Sequence, residues 1–406
     1  MNNPFQSLDN KNYRLYWQFM SLSSLGSWIM NAAQPWLAYR MTDSPFMLGI
    51  VSALQYMPVL LFSVFAGVAI DRFSKRKILL VTQFGYVFVS ALMAFLFYSG
   101  LIRYGLVLLM AAIFGFLNVL NMPLRQALIN QLVPKQDLLN AAALYASTFN
   151  LCRVIGPAMV GLLAAKWSIG VCFALNTAVY LVSTIGVFFV ELPQDHKNLH
   201  RATFRAVWRD ARQGLKYALE RRPIYEVLIM LAITGIFSIN FSVLVPVLSV
   251  EIMHSDALGF GTLMSVVGIG TFIGAFWVAS NSKEGPQKFF LYAAPLILAA
   301  LWFIVCLGNS VIIYVALALS GFFYISFTST ANAALQLCTE QEYLGRIVSL
   351  NTLVIAGTSP IGNLFSGYLA DLLGVRWGIF CCGLAALLCF IAYWFFHKNL
   401  EKNAKR

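Results

Sequence analysis

The chain is a succession of long apolar runs separated by short polar knots. A helix that crosses a bilayer needs about 20 predominantly apolar residues. Twelve runs reach that length, over residues 13–39, 46–70, 78–99, 104–124, 138–165, 168–190, 224–250, 258–280, 288–308, 311–336, 344–371 and 376–397. The pattern predicts an all-α membrane protein with twelve transmembrane helices. The first, fifth and eleventh runs exceed a minimal span, so tilting or extension past the hydrocarbon is expected for them. The longest polar stretch, residues 191–222, divides the chain near its middle. It predicts a six-helix bundle over 1–190, a linker over 191–222 and a second six-helix bundle over 223–406. Within the linker, Phe204 to Leu219 sets apolar residues at helical spacing with Arg and Lys opposite. That is the pattern of an amphipathic helix lying on the inner membrane face, with a calmodulin-type target helix as the rival reading.

Composition points the same way. Of 406 residues, 60% are hydrophobic and 11% charged, where a soluble domain would carry about 25% charged; the mean hydropathy is +0.75. A net charge of +12 would suggest nucleic acid in a soluble chain, but its placement argues otherwise. With the N-terminus in the cytoplasm, 23 of the 28 Lys and Arg fall in inner segments, Arg40, Arg103, Lys166 and Arg376 fall outside, and Arg153 lies within a helix. The positive-inside rule then places both termini in the cytoplasm, with no nucleic-acid partner. Met1 to Asn12 is polar and lacks a basic-then-apolar signal pattern, so no cleaved peptide is expected. Cys152, Cys172, Cys306, Cys338, Cys381, Cys382 and Cys389 lie in or beside apolar runs without metal-like spacing, so no metal or other cofactor is expected.

The two halves echo each other. Ile155-Gly156-Pro157 aligns with Ser359-Pro360-Ile-Gly362 at a separation of 203 residues, half of 406. The knot after the second run reads Gly67-Val-Ala-Ile-Asp71-Arg72-Phe-Ser-Lys75-Arg76-Lys77. It resembles the G-x-x-x-D-R-x-G-R-R signature of the major facilitator superfamily, with Ser74 where that family has glycine. Further stretches are similar to the drug and siderophore exporters related to the enterobactin exporter. They are Gly26-Ser-Trp28-Ile-Met-Asn31-Ala-Ala-Gln34-Pro-Trp36 in the first run, Asn121-Met-Pro123-Leu-Arg125-Gln126-Ala127 in the fourth, Arg153-Val-Ile-Gly156-Pro157 in the fifth and Leu344-Gly345-Arg346 opening the eleventh. The resemblance implies two pseudo-symmetric six-helix bundles working by alternating access. It also implies gating roles for Gly67, Asp71, Arg72, Arg76, Arg125, Gly156, Pro157 and Arg346, with Asp71 meeting Arg346 or the start of helix eleven. The fuller glycine pattern of the exporter motif is missing, since Tyr145, Thr148 and Cys152 occupy its positions.

Polar residues recur on four of the helices. Helix one sets Ser24, Ser27, Asn31 and Gln34 on one face beside Trp28; helix four offers Asn118 and Asn121; helix seven Thr234, Ser238 and Ser242; helix ten Tyr324, Thr328 and Asn332. The resemblance makes these four the cavity-lining helices, and hydrogen bonding between helices is the alternative use of such residues. Arg153 lies near the middle of its run, sharing a stripe with Asn150, Pro157 and Gly161. A charge at that depth usually faces a cavity or a partner. The alternative is an arginine held by carbonyls freed around Pro157. The substrate-binding candidates are therefore Trp28, Asn31, Gln34, Asn118, Asn121, Asn150, Arg153, Ser238, Tyr324, Thr328 and Asn332.

No acid stands mid-run. Glu226 is about one turn into helix seven and Asp371 near the outer end of helix eleven, so these two are the candidates for coupling, with a proton as the ion to test. Gly268-Ile-Gly270-Thr-Phe-Ile-Gly274 mimics a dinucleotide fingerprint, but its last spacing is one residue too long and no strand precedes it. Small residues four apart serve helix packing. With no nucleophile–base pair and no soluble domain, an enzyme or sensor is disfavoured. The sequence supports a secondary transporter, and the resemblance implies export, by a monomer, of a small amphipathic or anionic compound, siderophore or drug, across the bacterial inner membrane. A facilitator or importer of a small organic anion is the alternative.

Overall fold

The structure, a computed structural model, describes residues 5–192, 204–281, 285–306 and 308–404; the side chains of several positions within those stretches, Asp71 and Arg72 among them, lie outside the description. The described chain is helical: α1 (Lys11–Thr42), α2 (Pro45–Arg72), α3 (Lys75–Tyr98), α4 (Tyr104–Leu132), α5 (Leu138–Lys166), α6 (Ile169–Phe189), α7 (Phe204–Glu220), α8 (Arg222–Phe237), α9 (Phe241–Glu251), α10 (Ala257–Ser280), α11 (Lys288–Cys306), α12 (Ser310–Leu337), α13 (Leu344–Leu373) and α14 (Val375–Ala404). Eleven described spans are long and apolar enough to cross a membrane. The first run, α1, has 32 residues but is interrupted by its serines, Asn31 and Gln34, and falls short on composition.

The distribution of polarity within single helices explains the fold class. On α3 the buried side chains include Thr82, Gln83 and Ser90, whereas Val81, Phe84, Phe88 and Phe95 are exposed. A helix that hides amides and hydroxyls and shows phenyl rings is adapted to a lipid solvent, where polar groups must find partners inside the protein.

Helix ends follow local chemistry. The Asn10 side chain accepts from the backbone N–H groups of Asn12 and Tyr13 at 3.0 and 3.1 Å and caps α1; Asn309 caps α12 through Val311 N at 3.0 Å. At the far end of α1, Asp43 takes a left-handed conformation (φ 48°) and turns the chain into α2. The seventh predicted run differs from expectation. It breaks at Ser238–Asn240 into α8 and α9, with the Asn240 amide donating to the Ile236 carbonyl at 2.7 Å.

The contacts divide the chain into two compact units. One holds α1, α2 from Leu54 onward, α3 to α6, and α10 as far as Ser265; the other holds the first turns of α2 (Ser44–Ala53), α7 from Trp208, α8, α9, the rest of α10, and α11 to α14. In the first unit Gly156 and Gly161 let α5 come close to two neighbours. A Cβ on Gly156 would lie 2.6 Å from Trp28 Cβ on α1, and one on Gly161 2.6 Å from the Gly261 Cα on α10. In the second unit the equivalent stretch of α13 behaves alike: Gly362 packs on Asn240 and Ile236, and a Cβ on Gly367 would lie 2.8 Å from the Pro45 carbonyl on α2. Both proline-containing stretches thus use nearby glycines to admit a neighbour, although Gly156 and Gly362 stand 206 residues apart where the prolines stand 203 apart. The false fingerprint on α10 packs in the same way, with Gly274 against the Phe322 carbonyl of α12, where a Cβ would approach to 2.6 Å.

The amphipathic segment also gains a docked face. Tyr217 and Ala218 of α7 are buried in a cluster with Ile224, Phe290, Ile347 and Phe390.

Close approach to backbone has a measurable consequence on α4. A Cβ on Gly115 would meet the Gln55 and Leu54 carbonyls at 2.6 and 2.8 Å, while Gly105 on the same helix has nothing within 4 Å. Gly115→Ala is expected to cost about 1–3 kcal/mol through overpacking. Gly105→Ala should be neutral or gain up to about 1 kcal/mol of helix propensity. Thermal unfolding of the two purified variants checks the contrast, and equal stability would contradict this packing.

Candidate functional site

The first unit carries a connected polar core. Arg125 of α4 is 4% exposed. Its guanidinium donates to Ser24 Oγ at 2.6 Å, to Ser23 Oγ at 2.7 Å and to the Met20 carbonyl at 3.4 Å, all on α1. Gln83 of α3 donates to Ser23 Oγ at 3.0 Å, and Asn121 donates to Thr82 Oγ1 at 3.1 Å. Higher on the same helices Tyr86 donates to Asn118 Oδ1 at 2.7 Å and stacks on Tyr180 of α6, centroids 5.0 Å apart. The described partners of Arg125 are neutral oxygens, and its Nε has none. Hydrogen bonds to a charged group are each worth about 1.5–3 kcal/mol, so the α1 serines hold a cation in place without neutralising it.

A second cluster forms where α5 crosses α1. The Arg153 guanidinium carbon lies 5.4 Å from the centroid of the Trp28 ring. Phe149 meets the same ring edge-on at 5.4 Å, and Tyr145 lies 6.3 Å from Phe149. Gly156, one turn along α5 from Arg153, makes this crossing close enough for the contact. Pro157 lacks an N–H, so the helix gives no donor to the carbonyl four residues back, that of Arg153 itself. The Trp28 indole Nε1 is buried and without a hydrogen-bond partner. The cluster thus joins an indole donor, a half-buried guanidinium and aromatic surface, a set that suits an acceptor-rich ligand with an apolar part. Asn31 and Asn150 are half-buried on the same two helices. Gln34 is fully buried and accepts from Gln55 Nε2 at 2.8 Å, so its oxygen is engaged within the bundle.

In the second unit the helix break is the main feature. Thr234, Ser238 and Asn240 are at most 1% exposed, and the hydroxyls of Thr234 and Ser238 have no described partner. Trp302 Nε1 donates to the Ser238 carbonyl at 3.1 Å, and Ser242 donates to Asn363 Oδ1 at 3.2 Å. Phe241, at the start of α9, lies edge-on to Tyr324 of α12 at 6.3 Å. Thr328 bonds back to the Tyr324 carbonyl at 3.1 Å, and Asn332 accepts from Asn351 at 3.0 Å.

The remaining candidates scatter. Glu226 pairs with Arg222 at 2.7 Å along α8. Asp371 accepts from Ser44 Oγ at 2.6 Å and lies 3.5 Å from the Phe46 N–H, at the start of α2. Arg76 is exposed in the first turn of α3. Arg346 lies over the Tyr343 ring, 5.0 Å from its centroid. Gly67, Asp71 and Arg72 belong to α2, but their side chains, and with them the expected Asp71 gate, lie outside the described residues. Ser23, Gln83, Tyr86, Phe149 and Asn240 join these clusters without standing among the residues the sequence pattern marks. Gln83 and Tyr86, polar groups three apart inside an apolar run, were the readable signal for the first network, and Asn240 two residues after Ser238 was the signal for the break.

Ser24 and Ser27 separate the roles on α1. Ser24 accepts the shortest Arg125 bond, whereas Ser27 accepts from Tyr180 at 3.3 Å. Ser24→Ala is expected to lower stability by about 1–3 kcal/mol by leaving a buried charge under-bonded, and Ser27→Ala by less. Thermal melts in detergent check this, and equal losses would contradict the central place of Arg125.

The chain matches the transmembrane secretion effector family over residues 2–405. It is 24% identical over 383 residues to the staphyloferrin A transporter of Staphylococcus aureus, covering 93% of this chain and 94% of that protein. It is also 24% identical over 382 residues to the multidrug efflux pump Tap of Mycobacterium tuberculosis, covering 90% of each. Among solved structures, the nucleoside transporter NupG superposes with a TM-score of 0.78 at 9% identity, covering 95% of this chain and 98% of that one. That last likeness is one of fold alone. A chain with eleven apolar spans among its described residues, buried polar networks and a family match over nearly its whole length is a multi-pass membrane transporter: it belongs to the transmembrane secretion effector family of the major facilitator superfamily, in its drug and siderophore exporter branch.

Proposed function

We propose that this protein exports a small anionic, amphipathic compound of the siderophore class across the bacterial inner membrane by alternating access. The observation that carries the reading is the Arg153–Trp28 cluster: a cation over an indole whose own N–H is buried and unpartnered. The apolar stretches of α1, α4 and α5 contain no carboxylate. A half-buried positive charge attracts carboxylate, catecholate or phosphate groups and repels cations, and surroundings of low dielectric screen neither effect well. Phe149 and Tyr145 supply apolar contact for the rest of such a molecule. The staphyloferrin A transporter among the relatives supports a siderophore cargo. The multidrug pump supports a broader amphipathic one. The Lys and Arg distribution supports cytoplasmic termini. For coupling, Glu226 and Asp371 are the acids to replace, with the proton as the proposed ion.

Recognition is set by the charge that the substrate brings to this guanidinium. Arg153→Ala and Arg153→Gln are expected to cut export of an anionic substrate by about ten- to a hundredfold, the loss of one charge-assisted hydrogen bond. Arg153→Lys should retain part of it, without bidentate geometry. Melting temperatures measured alongside transport separate recognition from folding. A stable Arg153→Ala protein exporting at the unsubstituted rate would remove Arg153 from the site.

A further inference from the structure

Helix α7 has three faces, and the transport reading uses none of them. Along its last three turns the residues lie 100° apart. Gly214, Tyr217 and Ala218 are buried and form the docked stripe. Tyr217 stacks on Tyr343, centroids 4.1 Å apart and planes 8° from parallel. Its hydroxyl accepts from the Glu340 N–H at 3.1 Å. Arg221 pairs with Glu340 and lies 4.6 Å from the Tyr217 centroid, and a Cβ on Gly214 would come within 2.9 Å of Arg346 Cβ. The helix is therefore fixed in one rotation about its axis by the segment that opens α13.

That rotation leaves two other stripes outward. Leu215 and Leu219, one turn apart, are 47% and 64% exposed. Next round the helix come Arg209, Arg212 and Lys216, all exposed. Only Lys216 of these three has a described acid beside it, Glu220 at 3.7 Å. Leu219 is five residues upstream of Ile224, the first buried apolar residue of α8, so it lies at most about 18 Å along the chain from a membrane-spanning helix. Water does not favour two exposed leucines, and hydrocarbon does not favour three cations. A surface that offers hydrocarbon and negative charge within a few ångströms of each other satisfies both, and an anionic leaflet is such a surface.

We propose that this face of α7 is a docking surface for anionic phospholipid, with the leucines in the acyl boundary and Arg209, Arg212 and Lys216 on headgroup phosphates. Because the opposite face holds Tyr343 and Arg346, the lipid contact bears on the first turn of α13. The proposal is independent of the exported compound.

The test uses the full chain in nanodiscs, with native cysteines replaced and a bimane fluorophore on Leu219→Cys. Brominated phosphatidylglycerol and brominated phosphatidylcholine are compared as quenchers at equal content. The expected result is stronger quenching by the anionic lipid, with the preference falling about fivefold for each cation removed, equivalent to about 1 kcal/mol per charge. The triple variant Arg209→Gln, Arg212→Gln, Lys216→Gln should quench equally with both lipids. Raising the salt concentration on the unsubstituted protein should weaken the preference in the same direction, which keeps the test decisive if the triple variant fails to fold. Equal quenching by the two lipids at low salt would overturn headgroup recognition. Quenching by neither lipid would overturn the membrane assignment and leave the face to a soluble partner.

Discussion

Inside a bilayer a buried polar group has no water to fall back on, so each must find its partner within the protein. Arg125 is the strongest case of that constraint here. A permanent cation, 4% exposed, donates hydrogen bonds to two serines and a carbonyl of α1. Gln83 holds one of those serines in turn. Three helices are tied together at the charge, and the aromatic packing above it, Tyr86 on Tyr180, inherits its alignment. Apolar packing between transmembrane helices has little solvent-driven force behind it, because lipid tails are as apolar as leucine. The polar network and the glycine crossings do the work of specifying which helices meet.

The same constraint sorts the polar residues into two groups. Asn118, Asn121 and Asn332 spend hydrogen-bonding capacity inside their own unit, and Gln34 does so through its oxygen alone, its Nε2 having no described partner. Trp28 Nε1, and the Thr234 and Ser238 hydroxyls at the helix break, are buried without a described partner. A buried donor left unmade costs about 1–3 kcal/mol, and such costs are tolerated where a ligand recovers them. The Trp28–Arg153 pair joins one of these donors to a cation, which is why recognition is proposed for it rather than for the more numerous amides.

Much of the fold was legible as periodicity. Twelve apolar runs, their polar knots and the 203-residue echo are readable because lipid imposes length and composition on every span. Gly156 and Gly362 both admit a neighbouring helix beside their prolines, though on opposite sides of them in sequence. What hydropathy could not show was rotation. It marked Ser24 and Gln34 as one stripe, yet one bonds to α4 and the other to α2. It read residues 224–250 as continuous, because Ser238 and Asn240 lower mean hydropathy too little to reveal a break. The amphipathic pattern of α7 was plain, but the docking of Tyr217 on Tyr343 depends on a partner more than a hundred residues away. Arg153 was found by depth alone; its ring partner needed the α1–α5 crossing.

The central claim is that charge on the cargo is read by the half-buried Arg153 guanidinium beside the Trp28 ring. The most direct measurement is uptake into inverted membrane vesicles of a size-matched series differing only in charge, from a carboxylate through its neutral amide to an ammonium analogue. The account predicts saturable uptake of the carboxylate, weak uptake of the amide, and neither uptake of the ammonium compound nor competition by it. Uptake of the ammonium analogue at the rate of the carboxylate would contradict it.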